Sequence, residues 1–108
     1  MNVNSKHILL EDRKSVNGLE VSHNLGSMNW YEAKIVCKKL GPGWRLPTKD
    51  ELNMLYKNKE EIGGFSSIYY WSSTEFVNYY AWIQDFNFGY QSNYFKNASN
   101  YVRAVRVS

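Results

Sequence analysis

Two helix-start signals divide this chain and leave few ways to fold it. In "NWYEAKIVCKKLG", Asn29 can cap the free amides of a first turn, Glu32 stands three residues on, and Gly41 follows as a stop. In "LPTKDEL", Pro47 disfavours helix upstream, Thr48 and Glu51 have the spacing of a capping box, and Gly63-Gly64 closes the segment. The spacing predicts two amphipathic helices. The first would bury Trp30, Ala33, Val36, Cys37 and Leu40, and the second Leu52, Leu55, Tyr56 and Ile62. Before them, "HILL" reads as a strand, while "KSV" and "LEV" flank Asn17-Gly18, a pair that accepts positive φ and so favours a tight hairpin. After Ile68 no helical period returns, and short strands and loops are expected.

A strand pair, two helices and a strand-rich tail make an α+β chain, with helices beside a small, mostly antiparallel sheet and a long irregular C-terminal region. Residues 1–108 are long enough for one domain with one core. The net charge of +3 is scattered, with only Lys34, Lys38 and Lys39 close together, so no basic stripe exists to track a phosphate backbone and no nucleic-acid partner is expected. A single cysteine, Cys37, excludes an internal disulfide and a thiolate metal cluster. No stretch of about 18 apolar residues could enter a bilayer, and "MNVNSKHILLEDRK" lacks a signal peptide's apolar centre. His7 and His23 have no fixed spacing to a nucleophile, and Ser72, Ser73 and Thr74 lack a hydrolase elbow. The chain therefore reads as a non-enzyme, with no catalytic residue, cofactor or metal site.

The tail carries the unusual chemistry. Seven of the nine tyrosines lie between residues 69 and 101, and from Phe76 to Val102 the only charged side chains are Asp85 and Lys96. Period two in "AWIQDFNFG" puts Trp82, Gln84 and Phe86 on one face, read as the inner one, with Ala81, Ile83 and Asp85 opposite. "FVNYY" and "YQSNYF" have no consistent apolar face, so some of their aromatics must point to solvent. Each exposed aromatic forfeits roughly 1.5–3 kcal/mol of burial. A Tyr-, Ser- and Asn-rich cluster of that kind is a recognition surface, because Tyr offers rigid apolar area with a polar tip.

"MNWYEA" at 28–33, "WRLPTKDEL" at 44–52, "YWSSTE" at 70–75, "AW" at 81–82 and "NYVRAVR" at 100–106 follow one another in order. Together they resemble the C-type-lectin-like domain of variable proteins diversified by retroelements in bacteria, phages and archaeal viruses. The resemblance covers about residues 19–108. It implies that residues 76–99 form a variable ligand-binding region, because error-prone copying of Asn codons yields a restricted residue set without Lys, Glu, Gln, Met or Trp. Between Glu75 and Arg103 only Trp82, Gln84, Gln91 and Lys96 fall outside that set, which makes them expected frame residues. The implied ligand-facing positions are Phe76, Val77, Asn78, Tyr79, Tyr80, Ile83, Asp85, Phe88, Tyr90, Ser92, Asn93, Tyr94, Phe95 and Ala98.

The resemblance also places the last strand beside the N-terminal hairpin; simple alternation puts Arg103 and Arg106 on opposite faces of that strand, and at least one of them is expected to be a structural hydrogen-bond donor. The partner it implies is a protein or other macromolecular ligand on a target surface, and the location a virion tail or cell surface. The triplets of calcium-dependent sugar-binding lectins are absent. Two alternatives stand beside this reading. One is an invariant lectin-like adhesin or cell-surface module, and the other a protein like the formylglycine-generating enzymes, which need a paired-cysteine site that Cys37 alone does not provide.

Overall fold

A computed structural model describes residues 14–108; the expected strand at 7–10 lies outside the described residues. β1 (Lys14–Val16) and β2 (Leu19–Val21) form the expected hairpin, turning through Asn17 at φ 48° and Gly18 at φ 82°. That left-handed pair matches the strand twist of a two-residue turn. β3 (Ser27–Met28) leads into α1 (Trp30–Lys39). α2 (Lys49–Lys57) and α3 (Lys59–Ile62) follow, then β4 (Tyr69–Val77), β5 (Tyr80–Asp85), β6 (Gln91–Phe95), β7 (Asn100–Tyr101) and β8 (Val105–Val107).

Both capping boxes form. The Asn29 side chain accepts from the Glu32 amide and Glu32 returns the bond; Thr48 and Glu51 do the same at α2. Glu51 has a second task, since Arg45 donates to both of its carboxylate oxygens at 2.7 and 2.9 Å. The expected second helix breaks at Asn58, where the backbone leaves helical geometry and the side-chain amide donates to the Met54 carbonyl. Two helices thus become three segments. Along α1 the buried residues are Trp30, Ala33 and Cys37; Leu40, expected inside, is exposed beside Ile35 and Tyr31.

The strands make two sheets where the sequence reading had one. β1-β2-β8 is antiparallel, and the pairing of Leu19 with Val107 and Val21 with Val105 puts the chain's end beside the hairpin as expected. The larger sheet runs β3-β7-β4-β5-β6, with one parallel contact at Tyr70 and Tyr101. Arg45, outside the named strands, adds an antiparallel bridge to Val105 of β8 through mutual backbone bonds.

β4 is buried on both sides at its start. Trp71 packs with Trp30, Ala33, Cys37, Trp44, Ala81 and Ile83 under α1, whereas Tyr70 packs with Leu52, Leu55, Ile62 and Phe86 under α2 and α3. The Trp71 indole also donates to the Met28 carbonyl at 2.9 Å. This overturns the expected assignment of faces on β5. Ala81 and Ile83 are core, Trp82 is half-buried, and only Gln84 and Phe86 of the supposed inner face are fully enclosed. With a helix on each side of the sheet, alternation no longer separates inside from outside.

Arg103 is the expected structural donor. Nearly enclosed, it donates to the Ser22 and Gly63 carbonyls and lies 4.2 Å over the Phe65 ring, while Arg106, on the other face, pairs with Glu20 and covers Trp44. Arg103→Met should lower unfolding free energy by about 1–3 kcal/mol in urea denaturation, because the buried Ser22 carbonyl and the half-buried Gly63 carbonyl lose their donor; unchanged stability would remove Arg103 from this role. Arg45, by its hydrogen bonds first, holds the Glu51 carboxyl below the usual range. A depressed folded pKa stabilises fully above the unfolded value, about 4.3, and that contribution disappears as pH falls through the folded value. Glu51→Gln should accordingly flatten the loss of stability with acid below about pH 4, measured by thermal melts across pH.

Candidate functional site

The outer strand pair carries the candidate site. Across β5 and β6, Tyr80 faces Phe95, Ala81 faces Tyr94, Trp82 faces Asn93, Ile83 faces Ser92 and Gln84 faces Gln91. Directly opposed residues share a side of the sheet, so the aromatics divide between two faces rather than forming one. On the α2 side Tyr80 meets Phe95 with centroids 5.9 Å apart, and Phe76 stands edge-on to Trp82 at 5.5 Å. On the α1 side Tyr94 meets Tyr69 at 6.1 Å and Trp71 at 6.4 Å, and Tyr69 meets Tyr90 at 6.5 Å. There, Tyr69, Ile83, Tyr90, Ser92, Asn93 and Tyr94 line an open groove of about 280 Å³.

Phe76, Val77, Asn78, Tyr79, Tyr80, Phe88, Tyr90, Tyr94 and Phe95 are exposed, Tyr79 at 65% and Phe88 at 78%; Ser92, Asn93 and Ala98 are half-buried. Two expected positions are not on the surface. Ile83 is 3% exposed and forms the groove's floor, because its side of β5 packs under α1. Asp85 is 5% exposed, and its carboxylate accepts from the Asn87 amide to shape the turn after β5. That turn also needs Gly89: at φ 93° a Cβ there would fall 2.4 Å from the Tyr56 ring. Phe88, on the turn, sits at the far end of β5 from Tyr80, about 17 Å of strand away.

The four residues outside the restricted set are tied down. Gln84 donates to Asn53 and to the Gly89 carbonyl, and Gln91 donates to Gln84 and to the Lys49 carbonyl, so two amides bolt β5 and β6 to α2. Trp82 lies beneath the Lys49 ammonium, 3.6 Å from its ring centroid. Lys96 is 3% exposed, bonds the Glu75 carboxylate and the Asn78 carbonyl, and caps the Trp30 ring at 4.4 Å. Its donation pulls the Glu75 carboxyl below the usual range.

Tyr69 was missed because it precedes the uncharged tract. The signal was present: two residues before Trp71 on one strand, it must share Trp71's side. At the core's far end, burial pushes the Cys37 thiol up to about 12, which keeps it an inert packing group. No described group of His, Cys, Asp and Glu could hold a metal ion. The arrangement offers contact area, hydroxyls and amides; it suits binding.

Tyr79→Ser and Phe88→Ser should each shift the melting temperature by less than about 2 °C, as surface changes do. Lys96→Ala should cost about 1–3 kcal/mol, since it strips a buried donor from the Asn78 carbonyl. A melting series in which the first two are as damaging as the third would erase the distinction between face and frame.

A family model described as the Lcl C-terminal domain matches residues 8–106. No curated protein matches the sequence. Solved structures share the fold. Botrocetin, 13% identical, superposes with a TM-score of 0.68 over 90% of this chain and 97% of its own. EMS16, described as an antagonist of the collagen receptor integrin alpha2beta1, gives 0.69 at 13% identity over 90% and 98%. Botrocetin bound to the A1 domain of von Willebrand factor gives 0.66 at 11% identity over 90% and 97%. These are C-type-lectin-like snake venom proteins, and the architecture here is the same α+β lectin-like one.

Proposed function

The chain belongs to the Lcl C-terminal domain family, a C-type-lectin-like domain of retroelement-diversified variable proteins, and from that premise we propose that it is a non-enzymatic receptor-recognition module with a sequence-diversified binding surface. The observation that carries this reading is the division of labour in residues 76–99. Phe76, Val77, Tyr79, Tyr80, Phe88, Tyr90, Tyr94 and Phe95 are exposed, while the residues outside the restricted set are the ones bonded into the frame. A core position cannot vary freely in shape, whereas an exposed aromatic can be exchanged at small cost.

The partner is a protein or other macromolecular surface. Rigid aromatics with polar tips, spread over two sides of a strand pair and the Tyr79 turn, match the composition of antibody-like contact faces. Support also comes from the neighbours, since EMS16 is described as an antagonist of an integrin and botrocetin stands in complex with von Willebrand factor A1. The expected place of action is a virion tail or a cell surface.

The test is display. A phage library randomised at Phe76, Tyr79, Tyr80, Phe88, Tyr90, Tyr94 and Phe95, with Trp82, Gln84, Gln91 and Lys96 held constant, panned on immobilised surface proteins, should yield folded binders. A library that loses its fold, or never enriches, would remove the recognition role. For diversification, the neighbouring DNA should encode a reverse transcriptase and a near-copy of the codons for residues 76–106 differing at adenines; a locus with neither would make this an invariant module.

A further inference from the structure

Several described aromatic rings already hold a cation. Lysine or arginine lies over the rings of Trp30, Trp44, Trp82, Tyr56 and Phe65. Tyr69, Tyr90 and Tyr94 differ. None of the described lysines or arginines lines their groove, and their rings stand at steep angles to one another, 67° between Tyr69 and Tyr90 and 73° between Tyr69 and Tyr94. The Tyr69 and Tyr90 hydroxyls are hydrogen-bonded at 3.1 Å, which fixes the spacing of two walls, and Ile83 closes the floor.

We propose, on the premise that this face binds ligands, that the groove is an aromatic cage for a weakly hydrated organic cation such as a trimethylammonium or guanidinium group. Ring faces carry negative quadrupole density, and several of them around one corner attract such a cation more than any single ring does. Behind them sits Asp85, paired with Tyr69 in the β4–β5 register and almost fully buried. Its carboxylate adds negative potential in a low-dielectric setting. The Tyr90 phenol responds to these surroundings: its hydrogen bond with Tyr69 first, and the Asp85 charge among the lesser causes, push its pKa up. Ser92, opposite Ile83, supplies a hydroxyl on the rim for whatever carries the cation. This gives Asp85 a role although it is not ligand-facing.

The cage is tested by NMR titration of the whole chain at fixed ionic strength with choline, with ethylguanidinium, and with choline's uncharged isostere, in which a tert-butyl group replaces trimethylammonium. At least one cation should shift the Tyr69, Tyr90 and Tyr94 signals and bind about fivefold or more tightly than the isostere. Whichever cation is preferred names the source, a quaternary ammonium headgroup or an arginine side chain. Tyr90→Leu should weaken that cation by a similar factor, whereas Val107→Ala, an exposed change on β8 outside the candidate binding face, should leave it unchanged. Equal binding of the isostere, or no shift with any probe, overturns the cage. A selected protein binder that still engages through Phe76, Tyr80 and Phe95 would then show that recognition survives without it, so the two readings fail separately.

Discussion

The pairing of β4 with β5 is the constraint on which the rest depends. At one end of the pair both faces are largely covered, Trp71 and Ile83 beneath α1, with Ile83 also flooring the groove, and Tyr70, Gln84 and Phe86 against α2 and α3. Toward the other end the strands outrun their cover, and from Glu75 to Tyr80 every residue is exposed. Irregularities in register after Trp71 and Glu75 mark that change. Bulges of this kind increase twist and re-aim side chains. One strand pair is therefore both the middle of the core and the arm that carries the surface.

Where sequence logic was local, it could be read directly. Asn29 with Glu32 and Thr48 with Glu51 are four-residue chemistry, and both boxes form as written; so does the Asn17-Gly18 turn. Misreadings occurred where a distant element decided. Alternation in "AWIQDF" contains no sign that a helix covers each side, so Ile83 and Asp85 were placed outward and Trp82 too far inward. Leu40 fits the periodic stripe of α1, but the helix packs mainly through Trp30, Ala33 and Cys37 and leaves its end free. The split of the aromatics between two faces follows from the register of β5 with β6, which no single strand reveals.

The frame residues show how a diversified region could keep its shape. Gln91 joins β6 to α2 through the Lys49 carbonyl, and Gln84 holds the Gly89 carbonyl in the turn between β5 and β6 while reaching α2 through the Asn53 side chain. Because the Lys49 and Gly89 acceptors are main-chain atoms, those two bonds do not depend on which side chain occupies Tyr90 or Ser92. Lys96 works likewise, holding the Asn78 carbonyl, so the turn carrying Asn78 and Tyr79 is fastened by its backbone. Anchoring through the main chain is the arrangement that lets neighbouring side chains change without refolding.

Energetics point the same way. Each large aromatic left in water forgoes roughly 1.5–3 kcal/mol, so a domain of this size can carry several only if its interior is closed elsewhere. Trp71, Tyr70, Phe86, Leu52, Leu55, Val102 and Val105 are almost wholly enclosed, and Arg103, just before the last strand, ties the residue after the hairpin to the end of α3 through the Ser22 and Gly63 carbonyls. That closure is independent of Tyr79, Phe88 or Phe95. The energy forgone by those rings in the free protein is then available when a partner covers them, and it accrues without disturbing a core they never joined.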